Sequence, residues 1–489
     1  MAEDWEDIKK PEEEDEELGE DAAASGKFEK LLGSDSSKYK LSGMFKEWYL
    51  DYASYTILDR AVPHIVDGFK PVQRRVLHTM AEMDDGRYTK VANIVGQAMQ
   101  YHPHGDASIL GALVTLGQKG LLIDCQGNWG NILTGDSNAA PRYIEARLSK
   151  FAKEVVFDKK VTPWMTSYDG RNQEPTELPV RFPLLLAQGT EGIAAGLSSK
   201  ILPHNFNELI DASISILKGQ PYEILPDFPT GGIADCSKYN KGMRGGMVKV
   251  RARINKVDKS TITITEIPYG KTSHAIIDSI LKAKDKKKIN IKKIEDMTTD
   301  KVEIVIHLPS DVSPDKTIDA LYAFTDCEKS LSPCTCVIID KKPCFTTTSE
   351  LLKLSVDHTK HLLKWELEND LKHTQEKWHA TSLEKIFIEK EVYEVIKKAK
   401  DHDEMIQLID EGLKPFTKKL RREVTVDDIE KLAALPMSKI ARFSRKKADE
   451  LLKSLDDHIS EIHANLENII DFTIAHFKNI QKKYGEGRE

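Results

Sequence analysis

AAPRYIEARLSKFA, residues 139–152, decides how the chain is organised. Ile144, Leu148 and Phe151 fall at i, i+4 and i+7, which predicts a loop turning into a helix with those three side chains as its buried stripe. Tyr143 precedes the stripe, beside Arg142 and one turn before Arg147. A helix start with unpaired N–H groups and two arginines is a natural phosphate site. A tyrosine there is a candidate nucleophile, because adjacent cations lower a phenol whose ordinary pKa is about 10. On these residues alone the plainer alternative, an aromatic ring packing a helix start, stays open.

Upstream lies a run of cations and imidazoles. FKPVQRRVLHTM (69–80) carries Lys70, Arg74 and Arg75, and its Val72, Val76 and Met80 recur at helical spacing. YHPHGDASIL (101–110) adds His102 and His104. One such cluster usually marks a solvated helix face. Together, in one helical region, they fit phosphate binding better.

Charge is uneven along the 489 residues, whose net value is −7. Residues 1–21 hold twelve acids and two lysines, or −10, so the other 468 residues carry +3. With only Trp5, Ile8 and Leu18 as large apolar residues there, that block cannot bury enough surface to order itself, and residues 1–40 are expected to be an acidic, disordered tail. The rest divides into a helical region over 41–186, a Gly- and Pro-richer α/β region over 187–345 and a charged helical region over 346–489. MVKVRARINKVDKSTITITEI (247–267) alternates apolar and polar residues around a polar turn and predicts a β-hairpin; KVEIVIHL (301–308) predicts a strand. Leu452, Leu455, Ile459, Ile462, Leu466 and Ile469 step by 3 and 4, the spacing of a coiled-coil seam. The helix around LLKLSVDHTKHLLKWELENDLKHTQEKW (351–378) is its expected antiparallel partner, with a shorter helix around 403–416 between them.

Composition and motifs also exclude chemistries. The longest apolar runs, such as FPLLLA (182–187), fall far short of the roughly 20 residues that span a bilayer, and no charged-then-apolar leader opens the sequence. Both observations predict a cytoplasmic protein with no membrane partner. Cys125, Cys236, Cys327, Cys334, Cys336 and Cys344 are too thinly spread for a disulfide framework; the cluster around 334–344 lacks zinc-ligand spacing, which favours buried thiols. IPYGKTS (267–273) contains GKT, but the first glycine of a phosphate-binding loop would fall at Thr265, inside a strand. No acidic D-x-D pair sits beside a strand to hold catalytic magnesium, so neither an ATPase nor a metal site is expected on this chain.

The stretches SYTILDRAVPHIVDGFKPVQRRVLHTM, YHPHGDASIL, CQGNWGNILTGDS, AAPRYIEARLSKFA, LPVRFPLLLAQGTEGIAAGLSSKILPHN, DFPTGGI and LYAFTDCE, in this order, resemble the DNA breakage-reunion subunit of the bacterial type IIA topoisomerases, the A subunits of gyrase and topoisomerase IV. The likeness runs from residue 44 to about 485, and the wording of EGIAAGLSSKILPHNF leans toward topoisomerase IV, with gyrase the near alternative. It implies a multidomain α/β fold: a winged-helix DNA-binding domain with the catalytic tyrosine over 41–186, an α/β tower domain over 187–345, and a long antiparallel coiled coil with a helical dimerisation gate over 346–489. Tyr143 would then form a 5′-phosphotyrosyl link, with Arg142 and Arg60 stabilising the transferring phosphate. Lys70, Arg74, Arg75, His102 and His104 would lie along the DNA, and Ile193 would wedge between base pairs. The resemblance further implies double-stranded DNA as substrate, a homodimer, and a B subunit that completes an A2B2 assembly and supplies both Mg2+ and ATP binding, in the nucleoid-associated cytoplasm of a bacterium.

Three departures from the family pattern stand out. Pro141 precedes Arg142, stiffening the approach to the dipeptide. Ala107 and Gly111 replace the usual hydroxyl and acid that anchor the water–metal bridge to quinolones, which predicts weak intrinsic quinolone sensitivity. The sequence stops at QKKYGEGRE, before any C-terminal DNA-wrapping domain, which is expected to reflect truncation. A rival reading is a non-enzymatic winged-helix DNA-binding dimer, which needs neither Tyr143 nor a magnesium-bearing partner. A coiled-coil chromosome-structure protein is a further rival, but that class normally brings the ATPase motif lacking here.

Overall fold

A computed structural model describes residues 45–436, 438, 440 and 442–488. The acidic tail expected over 1–40 lies outside the described residues. The chain divides at Thr56 into two units. In the first, a wide helical turn, Phe45–Tyr49, leads into helix α1, Leu50–Thr56, where Ala53 and Thr56 are buried at i, i+3.

The second unit begins with the elements around the candidate site. Helix α2, Pro71–Glu82, starts on a proline whose fixed φ suits the first turn, and the Lys70 amide donates to the Gln73 side chain at 3.0 Å. Val76 and Met80, expected on one face, are buried with Leu77, and Val72 is half-buried. Strand β1 (Thr89–Lys90), helices α3 (Val91–Ala98) and α4 (Asp106–Gln118), strand β2 (Ile123–Gln126) and strand β3 (Glu145–Leu148) follow. The strands form an antiparallel sheet in the order β1-β3-β2, with Ala146 opposite both Thr89 and Cys125.

This corrects the reading of residues 144–151 as a helix. Ile144, Ala146 and Leu148 are buried while Glu145 and Arg147 are not, a period of two. The i, i+4 spacing of Ile144 and Leu148 is also two strand periods, and the small Ala146 between them decides for the strand. The helix comes later, as α5, Lys150–Val155, where the Ser149 hydroxyl accepts from the Ala152 amide at 3.0 Å.

Strands β4 (Trp164–Thr166) and β5 (Gln173–Pro175) pair as a hairpin, α6 (Leu184–Gln188) leads into a second hairpin of β6 (Thr190–Ile193) and β7 (Ser198–Ile201), and α7 spans Phe206–Leu217. One hydrophobic cluster joins these elements: Leu77, Leu113, Ile144, Phe151, Phe182, Phe206 and Leu209 all belong to it. Phe182 stacks on Phe206 with centroids 4.8 Å apart. Each large side chain sunk this way contributes about 1.5–3 kcal/mol.

The expected hairpin within 247–267 forms from β10 (Arg253–Lys256) and β11 (Thr261–Glu266), while Val248 and Val250 sit on the preceding strand β9 (Val248–Arg251), which pairs with β8 (Ile233–Asp235) and β14 (Glu328–Leu331) in another sheet. A single alternating stretch therefore feeds two sheets, broken at the buried Ala252. The expected strand near 301–308 is β13 (Ile304–His307), between β11 and β12 (Lys293–Asp296), and helices α8 (Ser273–Asp285) and α9 (Pro314–Phe324) cover that sheet. Of the clustered thiols only Cys336 is buried; Cys334 and Cys344 are half-buried, against the expectation of three buried ones.

After the β15 (Cys336–Ile339) and β16 (Lys342–Phe345) hairpin, α10 runs 42 residues, Thr348–Glu389, about 63 Å at 1.5 Å per residue. Helices α11 (His402–Leu413) and α12 (Val426–Ala433) build a separate core at its far end with Phe387, Ile409 and Ile429. Helix α13, Arg445–Glu467, returns antiparallel along α10: Arg445 pairs with Glu389 at 3.2 Å and His458 with Asp370 at 2.9 Å. Leu455, Ile459 and Ile462 are buried on the seam. The seam does not run on through Ile469, because the helix breaks at Asn468. Helix α14, Ile469–Tyr484, then brings Phe477 and Ile480 into the first cluster. Among the described residues no helix is long and apolar enough to cross a membrane.

Candidate functional site

Tyr143 sits on a tight turn, its amide donating to the Ala140 carbonyl at 2.9 Å. The turn is bound to the start of α3: the Ala92 amide donates to Pro141 O and the Val91 amide to Ile144 O, both at 3.0 Å. The helix start expected after Tyr143 to hold a phosphate is instead the turn into strand β3. Ile144 is fully buried, and the preceding residue, Tyr143, is turned outward and is 63% exposed. Arg142 is exposed as well, its guanidinium carbon 4.6 Å from the Tyr143 ring centroid. Gly127, at φ +92°, lets the end of β2 approach this turn, because a Cβ there would press on the Ile144 side chain at 3.2 Å. Arg147 is committed elsewhere, to Asp124 at 3.0 Å and over the Tyr88 ring.

A second group gathers where α3 ends. The His102 amide donates to Ala98 O at 3.0 Å, and its ring is buried edge-on to His104, centroids 4.9 Å apart. Arg75 reaches the ring, Nη1 to Nδ1 3.2 Å, while Glu174 of β5 holds the rest of that guanidinium at 2.6 and 3.0 Å. Burial first, then the charges of Arg75, His104 and Arg60, push His102 down to about 4. His102 is therefore a neutral imidazole at neutral pH, and Arg60 on the Ile57–Ala61 turn is an exposed cation beside it.

Lys70 and Ile193 meet through a hairpin. The Lys70 ammonium donates to Glu191 O on β6 at 2.7 Å. Ile193, at the end of that strand opposite Ser198, is 82% exposed. Gly192 packs so closely that a Cβ would collide with the Ala61 carbonyl oxygen, which lays the hairpin beside Arg60. Lys119 also reaches it, donating to Gly189 O at 2.7 Å. The motifs do not single out Lys119, although it is the lone charge in the run 107–123 and so has to find a polar partner inside an apolar stretch.

Arg74, expected on the DNA-binding face, turns inward instead. It is 5% exposed and makes a two-pronged pair with Asp67 at 2.6 and 3.1 Å, so it is a core ion pair and not a surface cation. Ala107 and Gly111 lie one turn apart on the exposed side of α4, with nothing within 4 Å of where a Gly111 Cβ would stand.

The structure thus brings Arg60, Arg75, His102 and His104 together and sets Ile193 on a hairpin that Lys70, from the start of α2, holds beside Arg60. Tyr143 and Arg142 form their own exposed pair; among the described residues no hydrogen bond or ion pair links Tyr143 to Arg60 or His102. A cavity of about 620 Å³ lined by His78, Glu82, Tyr101, Trp164 and Gln173 has none of these residues in its lining. Among the described residues no three His, Cys, Asp or Glu side chains converge as metal ligands.

Residues 60–478 match the family model for the A subunit of DNA gyrase/topoisomerase IV. The A subunit of DNA topoisomerase 4 from Borreliella burgdorferi is 42% identical over 443 residues, covering 91% of this chain and 70% of that protein. The DNA gyrase A subunit of Clostridium acetobutylicum is 32% identical over 485 residues and that of Staphylococcus aureus 31% over 494. The chain spans 57% and 54% of those two gyrase proteins.

Proposed function

The chain belongs to the family of DNA gyrase/topoisomerase IV A subunits, and from that premise we propose that it is the DNA breakage-reunion subunit of a type IIA topoisomerase. The observation that carries the reading is the exposed Tyr143 beside Arg142 on a turn bound rigidly to α3. Its phenolic oxygen bonds to a DNA phosphorus as the bond to the 3′ oxygen breaks; the phenolic proton passes to solvent and the 3′ oxygen takes one up. The 5′-phosphotyrosyl ester keeps the energy of the phosphodiester, so attack by the 3′ hydroxyl reseals the strand without another energy source. Arg142 and Arg60 balance the charge gathering on the phosphate oxygens. Lys70, Arg75 and the two imidazoles line the DNA path, and Ile193 enters between base pairs, where an apolar wedge unstacks one step for a few kcal/mol and bends the duplex.

Each chain supplies one nucleophilic tyrosine, so a homodimer makes the double-strand break. In this reading the described elements up to residue 186 form the winged-helix domain, those over 187–345 the tower, and α10 to α14 the coiled coil and its dimerisation gate. A B subunit completes an A2B2 enzyme in the nucleoid-associated cytoplasm; it binds ATP and would hold the Mg2+, which would supply positive charge beside the scissile phosphate that Arg142 and Arg60 of this chain contact. The greater identity to the topoisomerase IV relative supports decatenation and relaxation over supercoiling.

The test is reconstitution with the cognate B subunit. ATP-dependent unlinking of catenated circles is expected. Introduction of negative supercoils into relaxed circles would instead assign the chain to gyrase.

A further inference from the structure

We propose that Lys119 and Lys70 form a two-point clamp on one edge of β6 that fixes the angle at which Ile193 is presented. The inference rests on the wedge reading of Ile193.

Lys119 donates to Gly189 O and Lys70 to Glu191 O, each at 2.7 Å. Gly189, at φ +61°, closes α6 immediately before β6 and Glu191 lies on it; the extended residues Thr190 and Glu191 between the two carbonyls turn both the same way, so the two ammonium groups occupy one edge as a third strand would. The support falls on the open edge: Lys200 of β7 is bridged to Cys334 by two backbone hydrogen bonds of 2.8 and 2.9 Å, whereas among the described residues β6 pairs only with β7, and a sheet edge with one partner is easily frayed. Gly192 against Ala61 adds a third fixed point. Beyond it, Ile193 stands 82% exposed.

The anchors come from the helices that carry the cleavage face. Lys119 closes α4, whose first turn holds Ala107, and Lys70 opens α2, which holds Arg75. The clamp therefore ties the wedge to the DNA-binding surface. Burial pushes Lys119 down to about 8, helped by the charge of Lys70, and burial lowers Lys70 too, opposed by Glu191. Even a neutral amine keeps its N–H donors, so the clamp survives deprotonation.

The experiment uses the holoenzyme in two arms. Without DNA, amide hydrogen exchange of residues 190–201 is expected to be about tenfold faster in Lys119→Met, the exchange equivalent of one lost hydrogen bond, with Lys119→Arg near wild type. With end-labelled duplex, energy transfer is expected to show less bending by Lys119→Met at unchanged DNA affinity, again restored by Lys119→Arg; a general packing defect would lower both and resist rescue. Should the Met variant fail to fold, Lys119→Gln, which keeps an N–H donor on a shorter stem, is read in the same two arms. Wild-type exchange in the Met or Gln variant overturns the clamp. Normal bending by Ile193→Ala overturns the wedge reading separately, and the exchange arm still decides the clamp.

Discussion

The Arg75 guanidinium lies 3.2 Å from Nδ1 of His102 and holds a buried imidazole beside a fixed positive charge. The expected result in a histidine NMR titration is a His102 midpoint at about 4 in place of 6.5. The unfolded chain takes up this proton first as pH falls, so the stability this group contributes is complete above about 6.5 and is lost between there and about 4. Arg75→Ala should raise the midpoint. A His102 midpoint at 6.5 or above would contradict the arrangement.

Asp67 is buried with Arg74 and also accepts from the Phe69 and Leu178 amides at 3.1 Å. Asp67→Ala strands a buried guanidinium and should cost about 3–5 kcal/mol in chemical denaturation. A loss under about 1 kcal/mol, the size of an exposed ion pair, would show that Arg74 faces solvent after all.

These two pairs mark what the sequence could and could not convey. Long-period patterns were legible: the α2 face of Val76 and Met80, the β10–β11 hairpin and the Leu455, Ile459 and Ile462 seam. Short stretches that satisfy two periods at once were not, and Ile144 to Leu148 were read as a helix because a spacing of four serves either element. The identity of charged partners was also hidden. Arg74 and Arg75 are adjacent in sequence, yet the buried Arg74 meets Asp67 and the half-buried Arg75 meets the buried Glu174 of β5, a difference fixed by which way α2 faces. Tyr143 beside Arg142 is a candidate on the residues alone and takes its role from the family's motif, whereas the turn that exposes the pair is visible only in the structure.

Lys119 gives a pH signature. Its value falls from 10.5 to about 8 on folding, so between those pH values the unfolded chain holds a proton that the native one lacks. Wild-type stability relative to Lys119→Met should therefore rise with pH from about 8 upward. A flat difference across that window would contradict the burial of this amine.

The exposed face of α4 accepts larger side chains at Ala107 and Gly111. Quinolone-stabilised cleavage is expected to be weak in wild type and to rise in Ala107→Ser plus Gly111→Glu. Removing a helical glycine adds about 0.5–1 kcal/mol of helix stability, so the double variant should fold. Strong wild-type inhibition that the double substitution does not increase would refute this.

The most direct measurement is covalent capture. The chain, its cognate B subunit, Mg2+ and end-labelled duplex are mixed, denatured with detergent and examined for protein-linked DNA. Tyr143 is 63% exposed, held by its backbone turn and by Arg142 over its ring, both of which a phenylalanine keeps, so Tyr143→Phe should fold and bind DNA as wild type does. Label retained on wild type and absent from Tyr143→Phe is the predicted result. Equal non-covalent binding by both, with no adduct from either where a known topoisomerase forms one, would contradict the account and leave a non-enzymatic DNA-binding protein.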